Sequence, residues 1–133
     1  MRYLLDTNAC IAYLNQLNQA FIAKLRSHSP DEIVLCDIVK LELYYGAYNS
    51  RRSTENLETL SYFFEEFQSV PFDGNAAQVC GYWRRELKQR GQPIGAYDLQ
   101  IAAIAVANDF TLVTHNTREF ERIDDLKLED WEI

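Results

Sequence analysis

The segment Tyr3-Leu4-Leu5-Asp6-Thr7-Asn8 begins with a short apolar run and ends in an acidic residue followed by two polar ones. This pattern predicts a buried strand, and Thr7 or Asn8 can cap a helix that follows it. Two later apolar runs have similar length and polar boundaries, Ile33–Cys36 and Thr111–Thr114. Short apolar strands separated by helical segments are typical of a parallel sheet covered by helices on both faces. The sequence therefore predicts an α/β fold.

The spacing of apolar residues predicts helices between these strands. Asp37 is expected to cap a helix that passes through Glu42 and ends near Gly46. The other predicted elements are a helix with Ile11 and Leu14, a helix over Gln19–Ser27, a helix from Arg51 to Phe67 with an apolar stripe from Leu57 to Phe67, an edge strand over Ser69–Phe72, a long helix from Asp73 to about Gly91, a helix over Asp98–Ala107 and a last short strand within Leu126–Trp131.

Length and composition are those of one folded domain over residues 1–133, because 47% of the residues are apolar and 25% are charged,. No apolar stretch approaches the roughly 20 residues that span a bilayer, so we expect a cytoplasmic protein without a membrane segment. Cys10, Cys36 and Cys80 lack metal-binding spacing, and we expect them to be reduced and buried.

The net charge of −7 argues against broad, non-specific coating of nucleic acid,. It is compatible with a nuclease whose acids are concentrated at a metal site, since bound cations reverse the local field. Positive charge occurs in a few clusters, which we expect to be solvated helix faces. These clusters are Arg51-Arg52, Arg84-Arg85 with Lys88 and Arg90, and Arg118 with Arg122.

Three acids, Asp6, Glu42 and Asp98, occur in separate apolar segments of the chain. The carboxyl ends of parallel strands meet at one edge of a sheet, where ligands bind in open α/β folds. If the acids meet there, their mutual repulsion favours protonation, and a divalent cation removes that conflict. We therefore interpret the chain as a metal-dependent nuclease built around these three acids.

Four segments in order resemble the PIN-domain ribonucleases, and within them the VapC toxins of bacterial type II toxin–antitoxin modules. The similarity covers essentially the full chain, including the terminal Glu129-Asp130-Trp131. Any one motif is weak, whereas four in order in a chain this short are specific. The segments are Leu5-Asp6-Thr7-Asn8, Glu42-Leu43-Tyr44-Tyr45-Gly46-Ala47, Ile94-Gly95-Ala96-Tyr97-Asp98-Leu99-Gln100-Ile101-Ala102-Ala103 and Leu112-Val113-Thr114-His115-Asn116-Thr117-Arg118-Glu119-Phe120.

The resemblance implies a three-layer α/β/α fold with a central, mainly parallel sheet of four to five strands. It also implies that the catalytic acids Asp6, Glu42 and Asp98 hold Mg²⁺ or Mn²⁺, with one ion expected and two possible. Family members usually have a fourth acid where this chain has Asn116, so Asn116 and Glu119 are further candidate ligands. Hydroxyl and amide groups beside the acids are expected to orient the carboxylates. These groups belong to Thr7, Asn8 and Thr114.

The partners implied by the resemblance are a VapB-type antitoxin and an RNA substrate. By analogy the RNA is transfer RNA, including the anticodon loop of initiator tRNA, and its cleavage leaves 5′-phosphate and 3′-hydroxyl ends. A homodimer formed through the first helices and the Leu57–Phe67 region is a further hypothesis.

The same residues allow other interpretations. Asp6 can be a simple helix cap, Asp98 can be a cap or a first-turn acid, and Glu42 can be an exposed helix residue. A metal-free ribonuclease would use His115 or His28. A signalling domain that accepts phosphate on aspartate would need an acidic pair and a lysine, which the motifs lack. The remaining alternative is a catalytically degenerate PIN-like module that binds RNA or protein. Three tyrosines are expected to pack between helices rather than to stack on bases: Tyr44, Tyr45 and Tyr48.

Overall fold

Five short parallel strands form one central sheet in the computed structural model, which describes residues 1–133. The strands in chain order are β1 (Tyr3–Leu5), β2 (Ile33–Cys36), β3 (Gln68–Val70), β4 (Thr111–Val113) and β5 (Lys127–Glu129). Their order across the sheet is β3-β2-β1-β4-β5, and every neighbouring pair is parallel. The chain winds outward from β1 to β3 and then returns to the other side of β1. The direction therefore changes between β1 and β4, which is where open α/β sheets bind ligands.

Seven α-helices connect the strands and complete a three-layer α/β/α arrangement. They are α1 (Thr7–Leu14), α2 (Gln19–Arg26), α3 (Asp37–Tyr48), α4 (Ser53–Glu66), α5 (Gly74–Gln89), α6 (Ala96–Asn108) and α7 (Thr117–Phe120). This arrangement confirms the predicted α/β fold and its mainly parallel sheet. None of the helices combines the length and the apolar composition needed to span a bilayer.

The central strands are buried along their whole length, as their unbroken apolar runs predict. Every residue of β1, β2 and β4 is buried, and β2 has the predicted bounds. Strand β3 lies at the sheet edge and ends just before Pro71. Proline has no N–H to donate to a neighbouring strand, so it is tolerated at the end of an edge strand, where no such hydrogen bond is needed. The predicted apolar stripe of α4 also reaches the core, through Leu60 and Phe63.

Several helix ends differ from the prediction. Helix α3 continues through Gly46 to Tyr48, and Asp37 is its first residue rather than its cap. Helix α6 begins at Ala96, so Asp98 lies within its first turn instead of opening it. Local composition cannot fix these ends, because the packing of a helix onto its neighbours can extend it by a turn past a glycine.

Two of the three tyrosines predicted to pack between helices do not do so. Tyr44 contacts Phe64 edge to face, with ring centroids 5.3 Å apart. Tyr45 and Tyr48 are each 69% exposed. The prediction was wrong for these two because helical spacing does not reveal which face of α3 meets its neighbours. Among the cysteines, Cys10 and Cys36 are buried, whereas Cys80 is only half-buried.

Candidate active site

Asp6 follows β1 directly and lies at the boundary between β1 and β4. Its backbone N–H donates to the carbonyl oxygen of Val113 at 3.1 Å. Its side chain accepts a hydrogen bond of 2.8 Å from the backbone N–H of Ala9 and thereby caps α1. The predicted caps, Thr7 and Asn8, are instead the first two residues of this helix. Asp6 is thus fixed by both the sheet and the helix.

The Asp6 carboxyl is only 5% exposed, and burial raises its pKa from 3.8 to about 6. Hydrogen bonds from the Thr114 hydroxyl and the Ala9 N–H lower this pKa, whereas the charges of Glu132 and Glu42 raise it. No lysine or arginine pairs with Asp6. An ionised carboxylate in such a position gains strongly from a bound cation.

Glu42 extends from α3 toward the first turn of α1. Its Oε1 accepts a hydrogen bond of 2.7 Å from the Thr7 hydroxyl. The side chain is half-buried, so the interpretation of Glu42 as an exposed helix residue is wrong. The contact joins α1 to α3 and places the Glu42 carboxylate close enough to raise the pKa of Asp6 and of Asp98.

Asp98 lies in the first turn of α6 and is half-buried. Burial, together with the charges of Glu119, Glu42 and Asp6, raises its pKa from 3.8 to about 6. Because repulsion between charges weakens with distance, these effects indicate that the four carboxylates lie near one another at one end of the sheet.

Asn116 and Glu119 form a pair at the start of α7. The Asn116 side-chain amide donates to Oε2 of Glu119 at 2.8 Å, and its backbone N–H donates to the Thr114 hydroxyl at 3.0 Å. The Asn116 amide therefore orients the Glu119 carboxylate, which in turn lies beside Asp98. The Glu119 carboxylate thus adds negative charge close to Asp98, whereas Asn116 itself is neutral.

The arrangement fits a hard divalent cation, because its donors are carboxylate oxygens without a basic partner. No three of these oxygens lie within 4.8 Å of one another; the one set of possible ligands that does is His115, Asp130 and Glu132. A wider spacing suits Mg²⁺, which usually keeps several water molecules and takes one or two carboxylates directly.

The C-terminal acids Asp130 and Glu132 are neighbours of the site that sequence reasoning missed. His115 lies 2.9 Å from Asp130, measured from Nδ1 to Oδ2, and this hydrogen bond is the main cause that raises the pKa of His115. The acids were missed because only the position of β5 beside β4 brings the C-terminal residues there. The remaining predicted neighbour, Asn8, is exposed and makes no side-chain hydrogen bond.

The two histidines do not converge. His28 stacks on Trp131, with ring centroids 5.1 Å apart, and packs against Tyr3 at the start of β1. Asp6 lies past the other end of that strand, about 10 Å away at the usual rise per residue. His28 therefore cannot assist attack beside Asp6. His115 lies nearer, since the charge of Asp6 contributes to its raised pKa, and cleavage in excess EDTA tests the metal-free alternative that uses it.

The similarity between this chain and known proteins agrees with this architecture. Residues 3–126 match the family described as PIN domain. The chain belongs to the PIN-domain family. It is 36% identical to ribonuclease VapC2 of Rickettsia felis, with 99% of each chain covered. It is 33% identical to the tRNA(fMet)-specific endonuclease VapC of Shigella flexneri, with 98% of each covered.

Solved structures of related complexes resemble this PIN domain over nearly its full length. The crystal structure of VapBC2 from Rickettsia felis, bound to a DNA fragment from their promoter, matches with a TM-score of 0.90 and 35% identity, covering 98% of this chain and 99% of that one. DNA-bound VapBC from Salmonella typhimurium matches with a TM-score of 0.92 and 33% identity, covering 98% of each chain. The family resemblance predicted from the four motifs is thereby confirmed.

Thr7→Val in this PIN domain is expected to lower activity by about 10- to 100-fold, because Glu42 loses the hydrogen bond that orients it. The free energy of unfolding should fall by only about 1 kcal/mol. Cleavage kinetics and urea unfolding measure the two effects. Thr7→Ser retains the hydroxyl and should remain near wild type; full activity of Thr7→Val would show that this contact does not position Glu42.

Proposed function

We propose that this PIN domain is a VapC-type toxin, an endoribonuclease that hydrolyses RNA phosphodiester bonds and is neutralised by a VapB-type antitoxin. One observation carries the proposal: four carboxylates, those of Asp6, Glu42, Asp98 and Glu119, lie near one another beyond the ends of β1 and β4 and have no basic partner. The names of the relatives, ribonuclease and tRNA(fMet)-specific endonuclease, agree with it.

Mg²⁺ or Mn²⁺ would be held by Asp6, Glu42 and Asp98, with Glu119 and the Asn116 side-chain oxygen as additional candidate ligands. Such an ion would lower the pKa of the water molecule bound to it and would offset the negative charge of the RNA phosphate being cleaved. The protein itself orients two of the acids: the Ala9 N–H donates to Asp6, and the Thr7 hydroxyl donates to Glu42. One ion is proposed, and a second would require Glu119 to replace the missing acid.

Transfer RNA is the proposed substrate, with initiator tRNA as the first to test. The support is the description of the Shigella flexneri and Salmonella typhimurium relatives as tRNA(fMet)-specific endonucleases. The net charge of −7 agrees with a substrate held by a few specific contacts rather than by general attraction to polyanions.

A VapB-type antitoxin is the proposed protein partner. Solved VapBC complexes from three bacteria resemble the chain, and a basic segment would complement the acidic site. A homodimer is a further proposal. Since Leu60, Phe63 and Phe67 of the suggested interface are buried in the chain's own core, exposed residues such as Tyr62 would have to form the contact, and light scattering at micromolar concentration tests it.

The decisive experiment sequences 5′-phosphorylated RNA ends after purified protein has acted on bulk tRNA with Mg²⁺. We expect discrete cuts that EDTA abolishes and Mn²⁺ restores. Cleavage that persists in EDTA, or cyclic-phosphate ends, would contradict metal-dependent hydrolysis. Calorimetric titration with Mn²⁺ distinguishes a degenerate binding module, which would bind no ion below the millimolar range and cut nothing.

A further inference from the structure

A cavity of about 500 Å³ lies between α5 and α6, beside the acidic site. Its charged lining residues are Arg84 and Lys88 of α5, and no acidic residue lines it. Gln100 of α6 adds a polar amide, while Ile94 and Leu99 are among its apolar walls. In a chain with 20 acidic and 13 basic residues, a cavity whose only charged lining residues are basic stands apart.

The two cations of this cavity have no partner within the chain. Arg84 and Lys88 are four residues apart, so their side chains leave the same face of α5. Both are exposed, and neither forms an ion pair. Arg90, near the end of the same helix, instead contacts Glu86 and Asp124. The prediction that this cluster is a solvated helix face is therefore wrong for Arg90, which is paired with acids. Arg84 and Lys88 are solvent-exposed and remain available to bind an anion.

The cavity and the acidic site share the first turns of α6. Asp98 does not line the cavity and lies close enough to Glu119 for a hydrogen bond that affects its pKa, whereas the next two residues, Leu99 and Gln100, line the cavity. An α-helix is about 10–12 Å wide with its side chains, so the two sites lie on adjoining sides of one short segment, about one helix width apart. Ala96, the first residue of α6, also lines the cavity, and the start of a helix attracts anions.

We infer that Arg84 and Lys88 bind a backbone phosphate of the RNA substrate, one that flanks the phosphate being cleaved. The inference rests on the proposed function. An arginine presents two parallel N–H donors to phosphate oxygens, and a lysine adds a point charge that tolerates several geometries. The carboxylates of the acidic site repel the RNA phosphates, and the proposed cation offsets this repulsion only for the phosphate that is cleaved. A basic cavity next to it supplies the attraction that fixes the strand in register.

The test compares Arg84→Gln/Lys88→Gln with a control of equal charge change, Arg26→Gln/Arg51→Gln. The control residues are exposed cations without an acidic partner, away from the cavity. Glutamine is a good helix former, and circular dichroism checks the fold. In an Asp6→Asn background, which prevents cleavage, fluorescence anisotropy measures binding of labelled bulk tRNA across salt concentrations. In the wild-type background, KM and kcat for tRNA cleavage are measured.

The Arg84→Gln/Lys88→Gln protein is expected to bind tRNA about tenfold more weakly, with a salt slope smaller by about 1. Its KM should rise about tenfold with little change in kcat, while the control stays near the parent protein. If wild type cleaves tRNA and the double variant has the same KM and salt slope, the phosphate assignment is wrong although the proposed function stands.

Two other results would also overturn the inference. Loss of affinity for an antitoxin peptide with unchanged tRNA binding would assign the cavity to a protein partner. Absence of both tRNA binding by the Asp6→Asn protein and tRNA cleavage by wild type would refute the proposed function, and the inference with it.

Discussion

Asp98→Asn is expected to lower the rate of RNA cleavage by about a thousandfold or more, equivalent to about 4 kcal/mol of lost transition-state stabilisation. The substitution preserves the size of the side chain but removes one of four neighbouring negative charges. None of these charges is balanced by a lysine or arginine of the chain. Single-turnover cleavage of labelled tRNA in Mg²⁺ measures the effect. Affinity for Mn²⁺ by calorimetry should fall in parallel, because asparagine offers a neutral oxygen in place of a carboxylate.

Asp125→Asn is the matched control for this prediction. Asp125 is an exposed acid without an ion pair, and its substitution changes the net charge by the same amount. Its activity should equal that of wild type. An Asp98→Asn protein with activity within tenfold of wild type would refute the role of Asp98 as a metal ligand.

Asp6→Asn is expected to stabilise the metal-free protein at pH 7 while abolishing cleavage. A pKa raised from 3.8 to about 6 corresponds to about 3 kcal/mol of cost for burying the charged form, as an upper bound. Asparagine removes this cost but keeps an oxygen that accepts from the Ala9 N–H, so α1 remains capped. The expected gain is about 1–3 kcal/mol in the free energy of unfolding, measured with urea. Asp6→Ala loses the cap as well and should gain less.

The same pKa gives a pH dependence of known sign. Between pH 4 and about 6 the folded protein retains a proton on Asp6 that the unfolded chain has released. Stability contributed by this group is therefore fully present below pH 4 and is lost as the pH rises to about 6. Wild type without metal should lose stability across this window relative to Asp6→Asn, and saturating Mg²⁺ should reduce the difference at pH 7. If the free energy of unfolding changes with pH in the same way for both proteins, burial does not disfavour the charged form of Asp6.

The sheet and the position of Asp6 at its edge could be predicted because each depends on a strong local signal. Strand β2 is an apolar run bounded by charges, which fixes its ends. Asp6 follows a buried strand, and the rule that parallel strands end at one edge places it near residues that follow β4. The family resemblance supplied the pairing of Glu42 and Asp98 with it.

Other features depend on choices that local sequence does not record. Whether Asp6 or Thr7 caps α1 is decided by a shift of one residue in the helix start, and three adjacent polar side chains all suit the role. The closeness of Glu132 to Asp6 requires β5 to pair with β4. The cavity next to Asp98 requires a long-range packing of α5 on α6, which periodicity within each helix cannot specify.

The double use of Asp6, as helix cap and as buried charge, has a genetic consequence. A change from aspartate to asparagine needs only one base substitution, and here it would leave the chain folded and its outer surface intact. A single mutation would therefore remove the toxicity, and the cell would still produce a folded, inactive protein that binds the antitoxin. Cultures grown under toxin expression should accumulate this substitution more often than replacements that unfold the first helix.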